Sequence, residues 1–144
     1  MVVLASCSMP SSADTPPNAP FTVTEAGTFE EPWALAFIPG TPYALVTEKA
    51  GTLKLWREGG QAVTVTVAGT PKVAYAGQGG FGDVKPAPDF AQTGTVYLSW
   101  AEAGAGATRG AAVGKAKLVL GDAPRLEGLQ VIWRQSAKVT GGGH

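Results

Sequence analysis

From Phe21 onward the apolar residues come in short runs closed by glycine or proline. Trp33 to Ile38 and Tyr43 to Thr47 are mostly apolar and are separated at Pro39-Gly40. Leu53-Lys54-Leu55-Trp56 alternates apolar with polar, and Val63 to Val67 alternates cleanly. A period of two is the mark of a strand with one face buried, so these runs predict successive strands. Gly51 opens the turn between the second and third runs, and Glu58-Gly59-Gly60 turns the chain before the fourth. Thr22 to Glu25 predicts a further strand ahead of them.

The same order then recurs. Gly82-Asp83-Val84 leads into Pro88-Asp89-Phe90 as Ala34-Leu35-Ala36 leads into Pro39-Gly40, and Thr95 to Trp100 takes the place of Tyr43 to Thr47. Pro88 follows Pro39 by 49 residues, and Leu98 follows Leu45 by 53. Four-stranded propeller blades repeat at about 40–50 residues. Residues 103–112, AGAGATRGAA, predict a flexible loop inside the second unit. Val113 to Leu120 and Leu126 to Trp133 predict two more strands around the turn Gly121-Asp122-Ala123-Pro124. The fold expected is all-β: two blades and the edge of a third of a β-propeller, incomplete as given. Closure by radial repetition takes at least about four blades. A truncated chain, or one completed by a second chain, follows as an expectation.

Composition supports strands and turns. Among 144 residues there are 20 Gly and 11 Pro, and hydrophobic residues make up 44%. Eleven basic residues balance eleven acidic ones, so the chain has no electrostatic footprint for nucleic acid and no polybasic segment for an anionic membrane. No window reaches the roughly 18 apolar residues of a membrane span. One cysteine, Cys7, excludes an internal disulfide.

Cys7 ends the run Met1 to Cys7, MVVLASC, whose last four residues resemble a bacterial lipobox, in which the cysteine accepts the lipid. The alternative is an N-terminal cysteine without a role. The apolar stretch is shorter than the about 7–15 residues of a signal and lacks a basic flank, which points to a start upstream of Met1. Residues 8–20 are rich in Ser, Pro and Ala and suit a mobile tether. Residues 1–20 are therefore read as a truncated lipoprotein-type signal and tether, and residues 21–144 as the partial propeller. The expected location is outside the cytoplasm, periplasmic or at the cell surface, with a membrane reached only through the lipid.

The ordered motifs of residues 31–144 resemble the PQQ-dependent aldose sugar dehydrogenase family, the soluble glucose dehydrogenase type of six-bladed propeller. They are Glu31 to Glu48 (EPWALAFIPGTPYALVTE), Gly51-Thr52-Leu53, Gly77-Gln78-Gly79-Gly80 with Gly82-Asp83-Val84, Pro88-Asp89-Phe90 and Val96-Tyr97-Leu98-Ser99. Val131-Ile132-Trp133-Arg134-Gln135, Lys138-Val139 and Gly141-Gly142-Gly143-His144 complete the set. Lys85-Pro86-Ala87 departs from the pattern, and Pro86 predicts a shortened strand there. The resemblance implies oxidation of an aldose at its anomeric carbon with PQQ and calcium, most of whose ligands would lie beyond residue 144. It leaves the electron acceptor open and implies that this chain alone is inactive.

His144, the single histidine, can accept a proton near neutral pH, since an unperturbed imidazole has a pKa of about 6.5. On residues alone, Gly-Gly-Gly-His is equally a linker and the start of a tag; the resemblance makes His144 the catalytic base. Gln78, flanked by glycines, carries a donor and an acceptor suited to a sugar hydroxyl or a quinone carboxylate, or is simply a polar turn residue. Asp83 is read as a turn residue accepting backbone bonds, and Glu48 and Lys49 as a solvated strand end. Trp33, Trp56, Trp100 and Trp133 are read as blade-packing residues. No phosphate loop or metal-ligand spacing is present in the sequence. The rival from another class is a non-catalytic cell-surface propeller module that binds a protein or a glycan.

Overall fold

A computed structural model describes residues 20–57 and 63–141. Cys7, the tether up to residue 19, the turn Glu58-Gly59-Gly60 and His144 lie outside the described residues. The strands are β1 Pro32–Phe37, β2 Tyr43–Glu48, β3 Thr52–Arg57, β4 Val63–Val67, β5 Phe81–Pro86, β6 Thr95–Ala103, β7 Thr108–Val119, β8 Arg125–Arg134 and β9 Val139–Thr140. A single turn of helix, α1 Phe90–Thr93, precedes β6.

Each sheet is an antiparallel meander: β1-β2-β3-β4, then β5-β6-β7-β8, with β9 pairing β7. These are two consecutive propeller blades, the architecture expected. Their equivalence extends to single bonds. Ile38 N–H donates to the Tyr43 carbonyl at 2.9 Å, and Ala87 N–H, 49 positions on, donates to the Thr95 carbonyl at 2.9 Å. Both first strands also break register near their starts, β1 between Pro32 and Ala34 and β5 between Phe81 and Val84.

One apolar core joins the blades. Leu45, Leu53, Leu55 and Val67 of the first pack with Phe81, Val84, Val96, Leu98 and Trp100 of the second. At roughly 25 cal/mol per Å² of apolar surface removed from water, such contacts are the main term holding sheet to sheet. A second cluster, Ala44, Val46 and Trp56 with Phe29 against them, covers the other face of β2. Strand β2 is thus buried on both faces, which is why Tyr43 to Thr47 reads as a continuous apolar run.

Four local expectations are corrected. Thr22 to Glu25 is exposed chain without a ladder partner. Residues 103–112 are no flexible loop: β6 runs to Ala103, the chain turns where Gly104 N–H donates to the Thr108 carbonyl at 2.8 Å, and β7 starts at Thr108. The small residues serve close packing, since a side chain at Gly110 would meet Lys138 Cγ at 2.9 Å and Ala112 is fully buried. Pro86 does not shorten β5; it pairs with Val96 as the last residue of an edge strand, where no ladder donor is lost. The described residues form two sheets with no strand of a third, because β9 joins β7.

The polar seam between blades centres on Thr47, fully buried at 0% exposure. Its Oγ1 donates to the Gly82 carbonyl at 2.8 Å and accepts from Ala34 N–H at 3.0 Å. Thr47→Val keeps the shape but strands two partly buried backbone groups, so it should cost about 1–3 kcal/mol. Urea unfolding should show this loss, whereas exposed Thr64→Val should stay within about 0.5 kcal/mol of the parent.

Candidate functional site

The glycine-rich segment before β5 makes a two-residue turn. Ala76 and Gly79 exchange backbone bonds, Ala76 N–H to the Gly79 carbonyl at 3.2 Å and Gly79 N–H to the Ala76 carbonyl at 2.9 Å. Gly77 and Gln78 form the tip. Gly77 has φ +58°, the left-handed conformation that glycine adopts without strain. Gly79 and Gly80 are buried, and Gly80 has no room for a side chain because the Lys49 carbonyl stands against it. Phe81 N–H donates to that carbonyl at 2.9 Å, and Ala101 N–H donates to the Gly80 carbonyl at 2.8 Å. The segment is therefore stitched to both blades while Gln78 stays exposed.

Gln78 borders a cavity of about 150 Å³ walled by Trp33, Ser99, Trp100, Ala111 and the backbone from Gly80 to Gly82. Trp33 reaches it because it is the extra residue at the irregularity in β1, a device that re-aims a side chain. Trp33 is 59% exposed and Trp133 53%, so the packing role holds for Trp56 and Trp100 alone. Asp83 is not in a turn but inside β5, at its break of register. It does accept a backbone bond, its Oδ1 taking Val84 N–H at 2.8 Å, while its own N–H donates to Ser99 Oγ at 2.9 Å.

The run leading to His144 is anchored on the same cavity. Ala111, part of its wall, accepts from Gln135 N–H at 2.8 Å, and Ala111 N–H donates to Gln135 Oε1 at 3.0 Å. Beyond Gln135, Val139 and Thr140 pair with Arg109 and Thr108. Glu102 holds this strap from below: Oε2 accepts from Arg134 Nε at 2.8 Å and from Lys138 Nζ at 2.7 Å. Those two cations, Arg134 first and Lys138 second, hold the Glu102 carboxyl below the ordinary range. Gly141, the last described residue, has φ +138° and turns the strap with a backbone that only glycine takes readily. Gln78 and the start of the His144 run thus meet at one wall, although 57 residues separate Gln78 from Gln135.

Glu48 and Lys49 are not a solvated strand end. Glu48 is buried, accepts from Glu30 N–H at 3.0 Å and pairs with Lys54 at 3.8 Å. Lys49 Nζ donates to the Gly77 carbonyl at 2.6 Å, lies 3.8 Å from Glu31 and 5.4 Å from the centre of the Tyr75 ring. Tyr75 Oη donates to Glu31 Oε2 at 2.6 Å, and that carboxylate raises the phenol pKa above its usual value. No motif announced this trio, whose members come from three separate connections. Among the described residues, no group of three or more His, Cys, Asp or Glu is placed to hold a metal ion, and no helix is long and apolar enough to cross a membrane.

Comparison with known proteins matches residues 29–144 to the family model described as Glucose / Sorbosone dehydrogenase. The aldose sugar dehydrogenase YliI of Escherichia coli (strain K12) is 37% identical over 115 residues, which are 80% of this chain and 30% of that protein. A crystal structure of a glucose dehydrogenase matches with a TM-score of 0.74 and 47% identity, over 80% of this chain and 33% of that one. The soluble aldose sugar dehydrogenase (Asd) from Escherichia coli in the apo-form gives a TM-score of 0.73 at 37% identity, over the same shares. The chain spans about a third of the length of these relatives.

Because its folded-state pKa is lowered, Glu102 contributes strap stability that is complete above the ordinary value of 4.5 and is lost as pH falls through the lower folded value. The protection of the Gln135 amide against hydrogen exchange should therefore hold at neutral pH and fall only below pH 4.5. Glu102→Gln should lower that protection about three- to fivefold already at pH 7. NMR-detected exchange, corrected for the intrinsic rate, reads both.

Proposed function

The chain belongs to the glucose/sorbosone dehydrogenase family, and from that premise we propose that it supplies the sugar-side wall of a PQQ-dependent aldose dehydrogenase. The observation that carries the reading is the convergence of the Gln78 turn and the Gln135-to-Gly141 strap on the Ala111 wall of one cavity. Conversion of an aldose to its lactone removes a hydride from the anomeric carbon and a proton from the anomeric hydroxyl, leaving a new C=O bond. His144 takes the hydroxyl proton, a role open to an imidazole near neutral pH. Gln78 donates to or accepts from a sugar hydroxyl, and the exposed Trp33 ring offers the apolar wall against which a sugar face can lie. PQQ, when bound, supplies the two-electron acceptor for the hydride.

The described residues do not fit the holding of that cofactor. A tricarboxylate needs cations, and Lys49, the cation beside Gln78, is committed to the Gly77 carbonyl and to Glu31. The same residues bring no calcium ligand set together. Their part in the reaction is accordingly on the sugar side, and PQQ and calcium are assigned by family resemblance alone. By the likeness of Leu4 to Cys7 to a lipobox we place the protein outside the cytoplasm, with Cys7 as lipid acceptor and residues 1–20 as lipoprotein-type signal and tether. Cys7→Ser should then abolish incorporation of a labelled fatty acid in cells.

The enzymatic test uses the complete gene product that carries this sequence, with PQQ, calcium, an aldose and a dye acceptor. His144→Ala should lower kcat about 10²- to 10⁴-fold, the usual contribution of a positioned base. Gln78→Ala should raise KM for the sugar about tenfold with kcat little changed. Undiminished turnover by His144→Ala overturns the assignment of the base. Glycan or protein binding without any turnover favours a non-catalytic module instead.

A further inference from the structure

Lys49 begins the β2–β3 turn, yet its side chain is only 18% exposed. Its ammonium reaches across to the next blade's approach segment and donates to the Gly77 carbonyl at 2.6 Å. Glu31 and Tyr75 close around it: Glu31 Oε1 at 3.8 Å, the Tyr75 ring at 5.4 Å, and Tyr75 Oη donating to Glu31 Oε2 at 2.6 Å. The backbone repeats the connection, with Lys49 N–H donating to the Glu31 carbonyl at 3.1 Å. Glu31 itself has φ +45°, a left-handed conformation that a non-glycine residue keeps only where its surroundings enforce it. Such enforced backbone clusters at ligand clamps and active sites.

The chemistry of the bond explains what the arrangement controls. The Gly77 carbonyl and the Gln78 N–H belong to one planar trans peptide, so they point in opposite directions. Holding the carbonyl toward Lys49 turns the Gln78 N–H away from Lys49. Gly77 has no side chain to prevent this peptide from flipping, so the turn depends on an external hold. A charge-assisted bond from the ammonium of this partly buried lysine is roughly twice as strong as a neutral one and supplies it.

We propose that Lys49, clamped by Glu31 and Tyr75, is a positioning residue that locks the Gly77–Gln78 peptide with its N–H facing the ligand, adding a backbone donor beside the Gln78 amide. The ligand chemistry that fits is a hydroxyl oxygen of a sugar. This deepens the reading of Gln78 as a sugar contact and rests on it.

The test again uses the complete gene product. Lys49→Met keeps the aliphatic stem and removes the donor; Lys49→Arg keeps charge and donor. In Lys49→Met the Gly79 amide should exchange about tenfold faster, and KM for the aldose should rise about tenfold with kcat within about threefold. Lys49→Arg should hold both within about threefold, and Tyr75→Phe, which loses only the bond to Glu31, should fall between. The melting midpoint separates these effects from general unfolding. A folded Lys49→Met with unchanged Gly79 exchange overturns the clamp, as does a KM and kcat loss that merely tracks a lower midpoint. Faster Gly79 exchange in Lys49→Met, alongside a Gln78→Ala variant whose KM is unchanged, upholds the clamp and sinks the sugar-contact reading.

Discussion

The hydrogen bond from Phe81 N–H to the Lys49 carbonyl is the constraint on which the rest of the arrangement depends. It is a backbone bond between blades, made where the first blade turns from β2 to β3 and the second begins. Only a glycine at position 80 lets the two main chains approach so closely. Thr47 adds a buried hydroxyl to the same seam, satisfying Gly82 on one side and Ala34 on the other. Apolar packing brings the sheets together without fixing their alignment, because the hydrophobic effect has no direction. These few polar bonds set the alignment, and with it the position of everything that projects from the seam.

The projecting groups are those of chemical interest. The irregularity in β1 aims Trp33 out of the sheet, and the matching one in β5 places the Asp83 N–H on Ser99 Oγ. Both stand at the end of the blades where the Gln78 turn crosses. The turn is held from the first blade by Lys49 and from the second by Ala101, so its geometry reports the relation between blades. Glu102 acts likewise on the strap that leads to His144, pairing with Arg134 and Lys138. Among the described residues one ion pair, Arg125 with Glu127, lies at the far end of β8, and the other four gather at this end of the sheets. There they position backbone, and as partly exposed pairs they add little to global stability.

The opposite face of the first blade shows what a propeller demands. Leu35 and Phe37 lie on the same side of the sheet as Ala44, Val46 and Trp56 by register, yet they are exposed. Such a face is covered when blades follow one another around a ring. The apolar runs of β1 and β2 are therefore patterned for a sheet stacked on both sides.

Alternation and turn residues located the eight long strands to within five residues at their ends, because a two-residue period and glycine or proline breaks are local properties of the chain. The second blade was legible as a repeat for the same reason. Gln78 stood out because glycines flank it. What local pattern could not reveal was burial that depends on a distant partner. Glu48 and Lys49 look like a hydrophilic strand end until Glu30, Lys54, Gly77 and Glu31 are brought beside them. Residues 103–112 look flexible until Lys138 is brought against Gly110 and Ala112 is buried in the core. Thr22 to Glu25 reads as a strand, but a strand exists only where another offers its edge. Sequence thus determined which segments extend and where they turn; tertiary structure decided which polar groups are buried and paired, because that depends on contacts between residues far apart in the chain.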